Sequence, residues 1–296
     1  MPSHPHPAPQ APHPSEADGA DPDLTAPIRP VLVENPIVRF EDVHKSFGEQ
    51  AVLRGVTLHL RAGETTVVLG PSGAGKSVLL KHIVGLLRPD KGHVFFRDVR
   101  VDHLAERRLS ETRKHIGFLF QMSALFDSMN VEDNVAFPLS EHTDLDPGSR
   151  SAQVAEALRT VGLDGIQKKL PSELSGGQRK RVALARAIIL KPDLILYDEP
   201  TTGLDPIRAD GINELINKLR KNLKVSGVVV THDLMSARKV ADRVVVLYDG
   251  QIVADGTFED VERSRHPYVM RFLSGRYDPL LDERVAPAPG ARENDD

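Results

Sequence analysis

The chain has 296 residues, 40% apolar and 27% charged, with 22 glycines, 22 prolines and neither cysteine nor tryptophan. This is a soluble globular composition with room for one large domain or two modest ones. Its 38 Lys and Arg against 42 Asp and Glu, a net charge of -4, lack the basic excess of a chain that lives on nucleic-acid phosphates.

Without cysteine there is no disulfide, thiolate nucleophile, zinc finger or iron–sulfur cluster, so any metal rests on oxygen or histidine. The longest apolar runs, such as 228–230 and 244–247, fall far short of the roughly 20 residues needed to cross a bilayer.

Residues 1 to about 35 are mostly Pro, Ala, His, Asp and Ser, too poor in bulky apolar side chains to offset the entropy of ordering, and they predict a disordered tail. His4, His6 and His13 have metal-binding chemistry, but with prolines between and around them they read as solvated. The tail has neither the apolar stretch of a secretory signal nor the acid-poor composition of a transit peptide, which points to a bacterial cytoplasmic setting.

From Ile37 the pattern changes. Short β-branched runs at 37–40, 65–69, 116–120, 194–197, 228–231 and 244–247 alternate with longer stretches of helical spacing. The last three are nearly continuous apolar runs, as expected of strands covered on both faces. The alternation predicts an α/β fold with a largely parallel central sheet.

Residues from about 123 to 187 read mostly helical, with Val154, Ala155, Leu158 and Val161 at i, i+1, i+4 and i+7, and Val182, Leu184, Ala185 and Ile188 beyond. They predict a helical insertion between sheet strands. After Gly256 two helix-like pieces, 258–263 and 267–273, precede a proline-rich acidic end that is expected to be disordered. The apolar Tyr268, Phe272, Leu273, Tyr277, Leu280 and Leu281 suit either docking on a second copy or packing on their own domain.

The run at 65–69 leads into Gly70-Pro71-Ser72-Gly73-Ala74-Gly75-Lys76-Ser77 and a helix-like stretch at 78–87. This is G-x-x-x-x-G-K-[ST] in its required strand, loop, helix setting. Glycines let the backbone wrap so that successive N–H groups face one anion, and the helix start adds its positive dipole end. Lys76 is placed to reach the β- and γ-phosphates, and the Ser77 hydroxyl to ligate Mg²⁺.

Asp198 and Glu199 follow the run at 194–197. An Asp at a strand's carboxyl end reaches the Mg²⁺ shell, and Glu199 is available to polarise the water attacking the γ-phosphate, a role worth roughly 10² to 10⁴ in rate.

Between these elements lies Leu174-Ser175-Gly176-Gly177-Gln178, opening a stretch of helical spacing at 179–190. A Ser at a helix start and two glycines make a second anion site.

In this order the motifs resemble the ATP-binding cassette family, whose signature is this Leu-Ser-Gly-Gly-Gln, over about residues 37–256. The resemblance implies a P-loop NTPase core with a mostly parallel, RecA-like sheet, a helical subdomain at about 122–187 and a small antiparallel β region. It divides the chain into a tail at 1–35, a cassette domain at 36–256, a helical extension at 257–285 and a tail at 286–296.

The resemblance also implies ATP and Mg²⁺ as cofactors, gripped by residues 70–77 with Val78 alongside, where many members carry a hydroxyl residue. Phe47 resembles the aromatic that stacks on adenine. Gln121 resembles the glutamine that touches Mg²⁺ or the attacking water and relays nucleotide state to the membrane partner. Asp205 resembles the acidic loop residue crossing the dimer seam, and His232 the histidine that contacts the γ-phosphate and orients Glu199.

Two cassettes of the family stack head to tail, each ATP lying between the phosphate loop of one and the Ser175, Gly176, Gly177 and Gln178 equivalents of the other. A chain with one copy of each motif is expected to form a homodimer or pair with a related subunit. ATP then closes the pair and hydrolysis loosens it.

Residues 122–131, 133–139 and 141–143 resemble more closely the ATPase of Mla-type lipid transporters, which work with a multispanning permease and an MCE-type lipid-binding protein to move phospholipids between membranes. That implies a peripheral position on the cytoplasmic side of the inner membrane. Phe126, Met129, Phe137 and Leu139 suit a groove for a permease helix, or plain core packing.

Rival readings are the ATPase of another importer, for amino acids or metal chelates, and a soluble cassette ATPase acting on DNA or ribosomes. Against the latter, no coiled-coil insertion or second cassette is visible. The basic Arg179, Lys180 and Arg181 read as a solvated or phosphate-facing surface.

Overall fold

The computed structural model describes residue 28 and residues 30–275. Most of the expected N-terminal tail, together with Tyr277, Leu280, Leu281 and the tail at 286–296, lies outside the described residues.

The chain opens with strands β1 (Val38–Phe47), β2 (Gln50–Leu60) and β3 (Thr65–Leu69), helix α1 (Lys76–Ile83), β4 (Lys91–Phe96), β5 (Val99–Arg100), α2 (Glu106–Arg113) and β6 (Ile116–Leu119). Three helices follow, α3 (Val131–His142), α4 (Pro147–Thr160) and α5 (Gly176–Ile188). Then come β7 (Leu194–Asp198), α6 (Pro206–Leu223), β8 (Ser226–Thr231), α7 (Leu234–Val240), β9 (Arg243–Tyr248), β10 (Gln251–Gly256), α8 (Phe258–Glu262) and α9 (Pro267–Ser274).

Two sheets result. Strands β2-β1-β4-β5 form an antiparallel sheet, and β10-β9-β3-β8-β7-β6 a second sheet that is parallel except at β10-β9. The α/β fold with a parallel core, helices and a small antiparallel region is therefore as expected. Every residue of β3, β7 and β8 is buried, which is why their sequences run apolar without a polar face.

Successive side chains of these strands divide strictly between two cores. Val67, Leu69, Ile195, Tyr197, Val229, Val244 and Val246 join the core under α3 to α7, while Val68, Leu194, Leu196, Val228, Val230, Val245 and Leu247 join the one under α1 and the antiparallel sheet. Burial of each such side chain contributes about 1.5–3 kcal/mol, so a one-residue register slip would reverse both cores.

The helices start where their caps dictate. Asn130, Asp146, Ser175 and Asp205 each accept a backbone N–H from the first turn of α3, α4, α5 and α6. Pro147 and Pro206 take N-terminal positions where a missing N–H costs nothing.

Several expectations are corrected. Helix α1 ends at Ile83, short of residue 87. Strands β2, β4, β5 and β10 were not foreseen as elements: β2 and β4 mix buried apolar residues with exposed or half-buried ones, β5 is two residues long, and only Ile252, Val253 and Ala254 of β10 are buried. Of the two readings for Leu139, core packing holds: it is 2% exposed on α3 and does not line the cavity that Phe126 and Phe137 share.

Of Arg179, Lys180 and Arg181, expected as a solvated or phosphate-facing surface, Arg179 is exposed, Arg181 half-buried and Lys180 buried. Arg179 donates to the Leu174 carbonyl, Arg181 to those of Val161 and Gly211, and Lys180 is 5% exposed. At the C-terminal end, Phe258, Val261, Tyr268 and Val269 are buried in this chain's own core, and the Tyr268 ring stacks on Tyr248 at 3.8 Å. For these residues, and for Phe272 and Leu273 packed beside them, own-domain packing holds.

One buried amide fixes the loop that enters α3. Asn134 is fully buried; its Oδ1 accepts the Phe126 N–H at 2.8 Å and its Nδ2 faces the carbonyls of Phe126, Met129 and Asn130 at 3.0 Å each. Replacing Asn134 by Ala strands these backbone groups at about 1–3 kcal/mol apiece. Denaturant unfolding of the N134A variant is expected to show a loss of about 2–4 kcal/mol.

Candidate functional site

The adjacent parallel strands β3, β8, β7 and β6 all end on one edge of the sheet. Residues following parallel strands at their carboxyl ends therefore collect there. The phosphate loop follows β3, His232 follows β8, Asp198 closes β7 with Glu199 next, and Gln121 lies two residues past β6.

Two glycines shape the loop. At Gly70, φ is 158° and a Cβ would stand 2.2 Å from the Leu247 carbonyl oxygen. Gly75, the N-cap of α1, has φ 97°, and a Cβ there would meet Val52 at 2.9 Å. Strand β2 thus lies over the loop, and Phe47, 48% exposed at the tip of the β1–β2 hairpin, stands on the same side with the Lys45 ammonium 5.6 Å from its ring centroid.

Lys76 is 7% exposed and donates to the carbonyls of Gly70 and Pro71, both at 2.9 Å. The nearest carboxylate oxygen, Glu199 Oε1, is 3.9 Å away. Burial is the main influence on this ammonium and pushes its pKa down, while Glu199 and Asp198 pull the other way.

Ser77 Oγ donates to Asp198 Oδ1 at 2.7 Å. Asp198 has its pKa raised, first by burial and further by the Glu199 charge, against the Ser77 hydrogen bond. The arrangement is a buried cation beside a buried carboxylate and hydroxyl, chemistry that suits a polyanion with a divalent cation.

Among the described residues no group of three or more His, Asp or Glu could hold a metal alone. Ser77 and Asp198 supply a hydroxyl and a carboxylate oxygen, the kind of donor Mg²⁺ takes beside substrate phosphates.

Glu199 is 9% exposed. Its Oε1 lies 3.0 Å from His232 Nδ1, and its Oε2 accepts from Thr202 Oγ1 at 3.1 Å and Thr231 Oγ1 at 3.3 Å. So Lys76, Ser77, Asp198, Glu199 and His232 form one connected group. Gln121 is exposed on the same edge, its carbonyl tied to Lys180 Nζ at 3.0 Å.

Thr202 and Thr231 were missed as partners of Glu199. Thr202 belongs to the Thr202-Gly203-Leu204-Asp205 motif and Thr231 ends a strand, but only the folded sheet brings both hydroxyls to one carboxylate.

The signature residues stand elsewhere. Ser175 and Gln178 form a reciprocal capping box, Ser175 N–H donating to Gln178 Oε1 at 2.9 Å and Gln178 N–H to Ser175 Oγ at 3.3 Å. A Cβ on Gly176 or Gly177 would contact Leu204 or Arg208 at 3.5 and 3.7 Å, so this helix tip sits beside the Asp205 loop. Asp205 itself caps α6 and pairs with Arg208 at 3.2 Å.

Past Gln121, Phe118, Phe120, Phe126 and Phe137 line an open cavity of about 450 Å³, the rings of Phe126 and Phe137 lying 4.8 Å apart. Met129 lines a neighbouring cavity that shares Phe137.

This geometry agrees with known proteins. A family model described as "ABC transporter" matches residues 53–202. The chain belongs to the ABC transporter family.

Over 259 residues it is 41% identical to the "Probable ribonucleotide transport ATP-binding protein mkl" of Mycobacterium leprae, covering 88% of this chain and 73% of that one. Over 239 residues it is 42% identical to the "Intermembrane phospholipid transport system ATP-binding protein MlaF" of Escherichia coli, covering 81% and 89%. The ATP-binding cassette MJ0796, solved as a post-hydrolysis dimer bound to ADP and Pi, superimposes with a TM-score of 0.69 at 33% identity, over 74% of this chain and 98% of that one. As an ABC cassette the chain binds and hydrolyses ATP.

The buried charges have a consequence for stability. Because folding raises the Asp198 pKa, the stability this carboxyl contributes is complete only below its unfolded pKa and is lost as pH rises through the folded value. Where the group is ionised it is a net cost that a neutral amide removes. Asp198→Asn is expected to raise the Tm of the nucleotide-free protein by about 2–4 °C, the shift of ~1 kcal/mol in a chain of this size. Scanning calorimetry checks this, and ATPase activity is expected to fall in the same variant.

Proposed function

We propose that this chain is the motor subunit of a transporter that moves phospholipids between membranes, working as a pair of identical cassettes beneath a multispanning permease with an MCE-type lipid-binding protein. In this reading it lies peripherally on the cytoplasmic face of the inner membrane, with a cassette domain at 36–256 and a helical extension beyond. No helix among the described residues is long and apolar enough to cross a membrane.

Lys76 and the loop of residues 70–77, through the backbone N–H groups of all but Pro71, with Val78 at the helix start, bind the triphosphate, and Phe47 stacks on the base. Glu199 accepts the proton of the attacking water, and His232, 3.0 Å away, orients that carboxylate and reaches the γ-phosphate. Ser77, Asp198 and Gln121 would hold Mg²⁺, which supplies charge neutralisation at the phosphates.

Ser175, Gly176, Gly177 and Gln178 serve the second copy's nucleotide, and Asp205 stands at the seam. Their placement beside the Asp205 loop, together with the dimeric cassette at 33% identity, supports this.

The observation that carries the phospholipid cargo is the likeness to MlaF at 42% identity over 89% of that protein's length. The cavity at Phe126 and Phe137 gives a permease helix an apolar seat. The Mycobacterium leprae relative's name supports a second reading, ribonucleotide cargo.

The test uses the complex purified with its membrane partners. Glu199→Gln is expected to lower ATP turnover by at least about 10²-fold while ATP binding persists, and to halt lipid transfer between labelled vesicles. With ATP, the soluble variant is expected to shift from 32.5 kDa to about 65 kDa in light scattering. ATP-dependent movement of a labelled ribonucleotide, with no lipid transfer, would decide for the second reading.

A further inference from the structure

Lys180 is a buried cation with no ion-pair partner among the described residues. Its ammonium instead donates to two main-chain carbonyls, those of Gln121 at 3.0 Å and Glu199 at 3.2 Å. These belong to separate loops, one after β6 and one after β7, and to the two residues that flank the site of water attack in the proposed reading.

Burying an ammonium is costly, and two carbonyls alone would be served by a neutral donor, so the charge needs a reason. Glu199 supplies one. Its φ of 47° is left-handed, a strained conformation for a residue with a side chain, and surrounding contacts must hold it. The Glu199 N–H is held by the Val230 carbonyl at 3.0 Å, but its carbonyl has only Lys180 and a 3.3 Å bond from the Thr202 N–H.

A charge-assisted bond is about twice as strong as a neutral one, and an ammonium has enough protons to serve both loops at once. The Gln121 side needs an anchor as well. Ser123 and Ala124 have φ of 65° and 47°, and Arg186, also on α5, donates to both of their carbonyls.

We infer that Lys180 is a positioning residue for hydrolysis: it locks the Gln121 loop and the Glu199 turn to helix α5 and to each other, so that carboxylate and glutamine keep one geometry about the attacking water. It acts through the two carbonyls that its buried ammonium holds. The inference rests on the roles given above to Glu199 and Gln121.

The experiment measures steady-state ATPase, nucleotide affinity and Tm for Lys180→Met, Lys180→Gln and Lys180→Arg in the full complex. A displacement of about 1 Å at such a site costs on the order of 10²-fold, so Lys180→Met is expected to lower kcat by roughly that factor with KM changed less than about twofold. Lys180→Gln, a neutral donor one bond shorter, is expected to fall between, and Lys180→Arg to recover most of the rate.

In a Glu199→Gln background, Lys180→Met is expected to add less than about threefold, since both act through one carboxylate. A kcat within about twofold of the parent in both Met and Gln variants overturns the inference, as does a loss that tracks falling Tm and nucleotide affinity or that multiplies fully with Glu199→Gln. If Glu199→Gln alone leaves turnover intact, the reading of Glu199 fails first, a result distinct from a silent Lys180→Met.

Discussion

The structure depends on an ammonium and a carboxylate held in the interior without full compensation. Lys76 is surrounded by carbonyl oxygens and stands 3.9 Å from its nearest carboxylate, while Asp198 has one hydroxyl donor. Each is disfavoured in its charged form by burial. ATP, which the cassette binds, is a polyanion of the kind that completes the charge of Lys76, and in the proposed reading a divalent cation does the same for Asp198. A fold that holds two such groups in place must keep them from relaxing towards each other or towards solvent.

That rigidity comes from the parallel sheet. Strands β3, β7 and β8 are buried on both faces, and their side chains divide between two cores, so no strand can slide without exposing apolar surface in one and forcing overlap in the other. Lys76, Ser77, Asp198, Glu199 and His232 all lie at or just past the carboxyl ends of these strands. A loop attached to a movable strand could not hold Glu199 Oε1 at 3.0 Å from His232 across two chain segments.

The parts legible in the sequence were those encoded locally. A doubly covered strand reads as an uninterrupted apolar run, which exposed β3, β7, β8 and β9; the phosphate loop is contiguous, so its glycines and lysine sit in one line. Strands β2 and β4 stayed hidden because apolar residues such as Leu53, Val56, Leu58 and Val94 are interleaved with exposed ones, and register shifts break the β1–β2 pairing. The basic run at 179–181 misled for another reason. On a helix with 3.6 residues per turn, neighbouring positions point apart, so Lys180 turns into the interior while Arg179 stays exposed, a difference that only the packed structure reveals.

The same helix explains why the reacting edge tolerates strain. A left-handed non-glycine residue costs about 1–3 kcal/mol and persists only where its surroundings leave no alternative. Glu199 is fixed at its N–H by β8, at its carboxylate by Thr202, Thr231 and His232, and at its carbonyl by α5. Helix α5 begins at the capping box of Ser175 and Gln178 and ends near Arg186, whose guanidinium lies 5.7 Å from the Phe126 ring at the apolar cavity. One helix therefore contacts the signature turn, the carboxylate turn and the cavity wall, and its buried Val182, Ala183, Leu184, Ala185 and Ile188 anchor all three to the same core.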